Sequence, residues 1–253
     1  MVSDDMGENW EALGLLIQHP GHRPYVKYAS DETDTIHFIF TEGHPRNYNN
    51  SIYHAYYEDG MLHSSNGSEI RLLGDGPIQI GEGTLVFQGG QSAVASANDL
   101  AIDSNGHPYL AYSVQIEENP LDHRYRYSRW TGDEWLDYEI AFAGERLYSG
   151  EDDFTGNIAL DPNNPAVVYI STNVNPVTGT LLPSGHYEIF QGRTNDNGMN
   201  WDWVPITENS TEDNIRPIVP DWDGQNTAVI WLQGTYNKYT DFNLKVVGVI
   251  ISE

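Results

Sequence analysis

Cysteine is absent from this 253-residue chain, which removes disulfides and thiolate chemistry and leaves the redox compartment open. Positive charge is scarce. Twelve Lys+Arg stand against 37 Asp+Glu, a formal net charge of −25. So acidic a chain argues against nucleic acid or anionic membranes as partners. No run approaches the roughly 18 apolar residues of a membrane span. Met1-Val2-Ser3 opens on no signal peptide. There is no P-loop, no dinucleotide-binding glycine pattern, no Gly-x-Ser-x-Gly, no His-Glu-x-x-His and no EF-hand loop. No linker, low-complexity segment or long helical pattern divides the chain.

What is present is aromatic and β-prone. Sixteen Tyr and seven Trp accompany 24 Gly and 13 Pro, a composition for many short strands and turns. One unit recurs. Arg23–Tyr28 leads through a polar turn to Thr35–Phe40, and Asn98–Asp103 to Pro108–Tyr112. Gly156–Asp161 leads to Val167–Ser171, and Ile215–Pro220, across the Asp223–Asn226 turn, to Ala228–Leu232. The units start about 75, 58 and 59 residues apart, the length of a four-stranded propeller blade with insertions. Third and fourth strands fall at Ser51–Tyr57 and Glu69–Leu73, at Tyr125–Trp130 and Trp135–Ala141, and at His186–Gly192 and Trp203–Ile206. Leu244–Ile251 is the third strand of the last unit. The spacing predicts an all-β, single-domain β-propeller over residues 1–253. It has four-stranded antiparallel blades, four of them visible. Residues 10–18 are expected to supply the strand that closes the last blade.

Two stretches share a turn pattern, Ser3-Asp4-Asp5-Met6-Gly7-Glu8-Asn9-Trp10 and Thr194-Asn195-Asp196-Asn197-Gly198-Met199-Asn200-Trp201. An Asp that accepts backbone N–H bonds, a Gly at positive φ and a plugging Trp make such a turn self-contained. The pattern resembles the Asp box of BNR-type propellers. Longer stretches resemble the BNR-4 family, which includes ulvan lyases and related rhamnose–glucuronate lyases. They are His22–Tyr28, Ile36–Asn47, Ser51–His54, Asp153–Gly156, His186–Phe190 and Asp213–Pro220.

The resemblance implies a polysaccharide lyase that cleaves an ulvan-like uronate polymer by β-elimination, in an extracellular or periplasmic parent protein. It also implies a seven-bladed ring. In that ring a His pair, a catalytic Tyr and a carboxylate-neutralising Arg lie in blades ahead of the Arg23–Tyr28 motif, and no residue here matches them. The chain is then expected to be part of a larger lyase, a short propeller in its own right, or half of a ring completed by a second copy. The alternatives in function are a non-catalytic carbohydrate-binding or structural propeller and a glycoside hydrolase.

Function in a propeller sits on the face that carries the loops from second to third strands and the starts of the inner strands. That face is expected to gather the substrate-binding cations Arg23, Arg46, Arg124, Arg216 and Lys238, suited to an anionic polysaccharide. His44, His123 and Tyr125 are the candidates for proton transfer. Tyr48, Tyr236 and Tyr239 are candidates for stacking on sugar rings. His37, His44 and His54, on a strand, the next loop and the returning strand, are the candidate metal ligands. They suit zinc, and calcium is the other ion considered, with no cofactor required.

Overall fold

A computed structural model describes residues 1–222 and 225–252. Nineteen strands form it among those residues. The short β1 (Ile17–Gln18) precedes the first sheet. That sheet is β2 (Val26–Ser30), β3 (Ile36–Phe40), β4 (Ile52–Glu58), β5 (Met61–Ser64) and β6 (Glu69–Leu72), in that spatial order. β7 (Ile78–Gln79) and β8 (Thr84–Phe87) follow, and β8 also pairs with β4. The second sheet is β9 (Ala93–Ile102), β10 (Pro108–Ile116), β11 (His123–Trp130) and β12 (Trp135–Gly144). The third is β13 (Ile158–Leu160), β14 (Val167–Thr172), β15 (Glu188–Arg193) and β16 (Asp202–Pro205). The fourth is β17 (Asp213–Ile218), β18 (Asn226–Lys238) and β19 (Asp241–Ser252). Pairing within all four sheets is antiparallel. This is the expected propeller architecture of successive antiparallel blades. Of the turn before β18, residues 223–224 lie outside the described residues.

Strand alternation stacks the sheets face to face. Leu110, Tyr112 and Val114 pack with Ile39, Ile52 and Leu100 between sheets one and two. Tyr109 and Ala111, one residue out of phase, pack with Ile158, Leu160, Val168 and Ile170 between sheets two and three. Val167 and Tyr169 turn the other way to meet Val229 and Trp231 of sheet four. A period of two that is apolar on both phases thus buries both faces of the inner sheets.

Two expectations need correction. The residues at 10–18 do not join the fourth sheet, which has three strands among the described residues. Ile17 and Gln18 instead pair in parallel with Ile78 and Gln79. Leu16 and Ile17 there cover Phe38, Phe40, Leu62 and Ile78, a face of sheet one that would otherwise meet water. In sheet one, Glu69–Leu72 is the fifth strand, because the tight turn at Asp59 (φ 49°) and Gly60 (φ 83°) inserts β5 first.

Both Asp-containing turns close in the same way. Asp196 Oδ1 accepts the Asn200 N–H at 2.8 Å and Trp201 Nε1 donates to Gly198 O at 2.8 Å. In the first copy Asp5 Oδ1 accepts the Asn9 N–H at 2.9 Å and Trp10 Nε1 donates to Gly7 O at 3.0 Å. They differ in setting. Trp201 packs on Tyr127 and Trp203, whereas Trp10 is 57% exposed. A Cβ on Gly198 would stand 2.6 Å from Tyr127, but one on Gly7 meets nothing closer than 3.6 Å. Gly198→Ala is therefore expected to cost about 1–3 kcal/mol more than Gly7→Ala in urea denaturation. Equal losses would show that the Tyr127 contact carries no weight.

Candidate functional site

The inner strands of the four sheets, or the residues that lead into them, meet around one cavity of about 370 Å³. Tyr25, Val26 and Lys27 line it from sheet one, Ser96 and Asn98 from sheet two, Phe154, Thr155 and Asn157 from the start of sheet three, and Arg216 from sheet four. Asn98 Nδ2 donates to Asn157 Oδ1 at 2.8 Å, joining two of these strands. Arg216 sits at a bulge with φ +56°, a backbone region that a non-glycine residue occupies at a cost of about 1–3 kcal/mol. Its N–H donates to Gly156 O at 2.7 Å, and its guanidinium lies over Tyr236 with Nη2 donating to the Tyr236 hydroxyl at 3.1 Å.

His44 and Arg46 stand at the same mouth. The His44 ring contacts Tyr25 and Phe154, both of which line the cavity. Its Nδ1 accepts the Arg46 N–H at 3.1 Å, which puts the proton of the neutral ring on Nε2. Burial, then Arg46 and Arg23, hold this imidazole below its ordinary value against the pull of Asp153. Arg46 bonds Glu151 and reaches Gly150 O at 3.0 Å. Tyr148 meets Tyr236 edge to face at 5.6 Å. Lys27, Tyr148 and Glu151 escape a reading based on loops and motif cations, while Asp153 opens the motif stretch Asp153–Gly156. The position of Lys27 within Arg23–Tyr28 was the available signal.

Ion pairing sorts the remaining candidates. Among the described residues, seven of the 12 Lys+Arg pair with carboxylates: Arg46, Arg71, Arg124, Arg126, Arg129, Arg146 and Lys245. Arg124 is clamped by Asp122 at 2.6 Å and Glu139 at 2.8 Å with Phe142 beneath it, so it is corrected from ligand contact to strand-edge ion pair. Arg23, Lys27 and Arg216, by contrast, have no carboxylate partner among the described residues, and Lys27 and Arg216 line the cavity. Lys238 has no carboxylate partner among the described residues either, and it lies at the exposed tip of the β18–β19 hairpin.

Two proton-transfer candidates are sealed. Tyr125 is fully buried and donates to Ser171 O at 2.7 Å, and burial pushes its pKa well up. His123 is fully buried with its two ring nitrogens facing Gly144 O and Asp152 O at 3.2 and 2.8 Å. The three metal candidates separate too. His37 Nδ1 and His54 Nε2 face each other at 3.0 Å in a buried pair, while His44 groups with Glu151 and Asp153. Tyr48 packs on His19 and His22, and Tyr239 is exposed at the hairpin tip.

A larger cavity of about 600 Å³ lies against sheet one, but no carboxylate, histidine, lysine or arginine lines it. The small one holds the chemistry. Ser96 Oγ, Asn98 Oδ1 and Arg216 Nε are buried on its walls without a hydrogen-bond partner. Native proteins rarely leave such atoms orphaned, so a polar occupant is called for.

The family model described as a BNR repeat-containing family member, BNR_4, matches residues 2–143. This chain belongs to the BNR_4 family. No curated protein sequence matches it. Among solved structures, a PL25 ulvan lyase, solved free and bound to -[GlcA(1-4)Rha3S]-, superposes on this BNR_4 chain with a TM-score of 0.67 at 12% identity. The match covers 99% of this chain and 57% of the lyase, so the chain spans little more than half of that relative. The polysaccharide lyase Uly1 gives a TM-score of 0.50 at 13% identity, over 90% of this chain and 45% of that one. A Penicillium chrysogenum α-L-arabinanase with arabinobiose gives 0.51 at 15%, over 90% and 62%. At these identities the likeness is one of fold. Among the described residues, no helix is long and apolar enough to cross a membrane.

Proposed function

We infer that this BNR_4 chain binds a uronate-bearing polysaccharide at the mouth of its inner strands, in a parent protein that works outside the cytoplasm. One observation carries the reading. In a chain of net charge −25, Lys27 and Arg216, which have no carboxylate partner among the described residues, line a cavity walled by orphaned polar atoms, and Arg23, likewise without such a partner, acts on His44 at its mouth. Guanidinium and ammonium groups would take the sugar carboxylates, Ser96 and Asn98 the hydroxyls, and Tyr25 and Tyr236 would stack on the rings. The likeness to a lyase bound to a glucuronate-containing sugar supports the same ligand class.

Elimination is the second reading, favoured by the two lyase folds. It needs a base at C5 and a cation on the carboxylate. The cations are in place. Of the bases proposed, Tyr125 and His123 are sealed, and His44 presents a nitrogen that carries its proton. Binding therefore stands ahead of cleavage.

Titration calorimetry with ulvan and polyglucuronate tests it, with the ultraviolet absorbance of unsaturated uronate followed on the same samples. Saturable binding with flat absorbance is expected, and a neutral glucan should give no heat. Arg216→Ala should weaken binding about 10- to 100-fold, the loss of a charge-assisted pair, with thermal stability retained. Unchanged affinity in that variant would remove Arg216 from the site. A rise in absorbance would promote the lyase reading, and new reducing ends without a double bond would indicate a hydrolase.

A further inference from the structure

His44, Glu151 and Asp153 each bring a ligating atom within 4.8 Å of the others, yet no hydrogen bond joins the three side chains. Asp153 is 8% exposed, and its Oδ2 is buried without a partner. Glu151 Oε2 is buried and unpartnered too, although Arg46 takes the other oxygen. These are two of the six orphaned side-chain atoms among the described residues, and they belong to the two carboxylates whose oxygens come within 4.8 Å of each other and of the His44 ring. Carboxylate oxygens that are desolvated, adjacent and unpaired are unstable together unless a positive charge lies between them. Arg46 supplies one charge for two carboxylates, and among the described residues its ion pair is with Glu151, not Asp153.

We propose that Glu151 and Asp153 hold a calcium-type divalent cation at the mouth, with His44 on its rim. Carboxylate oxygens favour a hard cation, and the outward nitrogen of His44 carries the ring proton, which weakens the case for zinc. Asp153 is a new site residue in this role, and the grouping differs from that of His37, His44 and His54. The proposal does not depend on the ligand being a uronate.

Calorimetry of the chelator-treated chain with calcium chloride, in buffer salted to screen the acidic surface, tests it. One saturable site with a Kd at or below about 1 mM is expected, together with a rise in melting temperature. Asp153→Asn keeps the shape of the side chain and should weaken binding about tenfold or more. Arg46→Gln frees Glu151 and should tighten it about two- to fivefold. Near-ultraviolet circular dichroism checks that each variant is folded. Absence of saturable heat would overturn the site, as it would if Asp153 were simply protonated. Binding unmoved by Asp153→Asn in a folded variant would assign the heat to general surface charge. Saturable zinc binding with no calcium heat would overturn the hard-cation assignment.

Discussion

Asp137→Ala is expected to cost about 3–5 kcal/mol in chemical denaturation, the scale seen when one partner of a buried ion pair is removed. Asp137 gathers three donors. Arg126 Nη2 is at 2.5 Å, Ser128 Oγ is at 2.6 Å, and the Tyr112 hydroxyl also donates to it. Tyr112 is fully buried, and burial followed by the Asp137 charge pushes its pKa well up, so it stays a donor. Arg126 and Asp137 keep only 19% and 18% of their side-chain surface. Alanine would leave a desolvated guanidinium and an orphaned phenol between β10, β11 and β12, which hold β9 and its cavity residues Ser96 and Asn98 in place. Arg46→Ala is the contrasting control. Its side chain is 50% exposed and its loss should cost about 0–1 kcal/mol. A loss below about 1 kcal/mol for Asp137→Ala would mean that water reaches the network.

The strands of the inner sheets were legible because their apolar runs are long and bounded by Asx-type turns. Arg216 was legible as a cation at the start of an inner strand, though not the bulge that aims it. Other features were in plain view but need the period of two to be taken literally. In His123-Arg124-Tyr125-Arg126-Tyr127, alternation puts the two tyrosines on one face and the two arginines on the other. Arg124 and Tyr125 therefore cannot serve one site. Asp59-Gly60 is a strong local hairpin signal, and it inserts β5. What stayed hidden depends on tertiary choice. Nothing local tells Leu16 and Ile17 to cover sheet one rather than extend sheet four. Among the described acids, Asp153 and Glu151 stand out only in each having a walled-in oxygen without a partner, which no local pattern announces.

Acidification should destabilise the protein between about pH 6.5 and 4, and the buried His37–His54 pair is the main cause. The two rings face each other at 3.0 Å, and His54 Nδ1 meets Ser65 Oγ, which also accepts from Trp135 Nε1. One proton between the rings satisfies both. A second would set N–H against N–H in a site only 6% and 1% exposed. Burial, the largest cause, with His107 opposed by Asp31, brings His37 down to about 4, and burial holds His54 well below 6.5. The sign follows from linkage. The unfolded chain takes up protons near pH 6.5 and the folded pair does not, so stability present at neutral pH is lost as pH falls, until His37 itself titrates near 4. Over that gap His37 alone accounts for about 3 kcal/mol. Asp31, beside the pair, is held at about 2 by Thr33 and stays ionised throughout the window. Urea denaturation at several pH values between 7.5 and 4.5 should show the fall. His44, His123 and His54 itself are also held low by burial, so His37→Phe, which keeps the stack on Tyr56, isolates the share of His37. That variant should flatten the profile. Stability level across the window in the wild type would mean that water or acid neighbours already charge the pair. A fall undiminished by His37→Phe would move the effect from His37 to His44, His54 and His123.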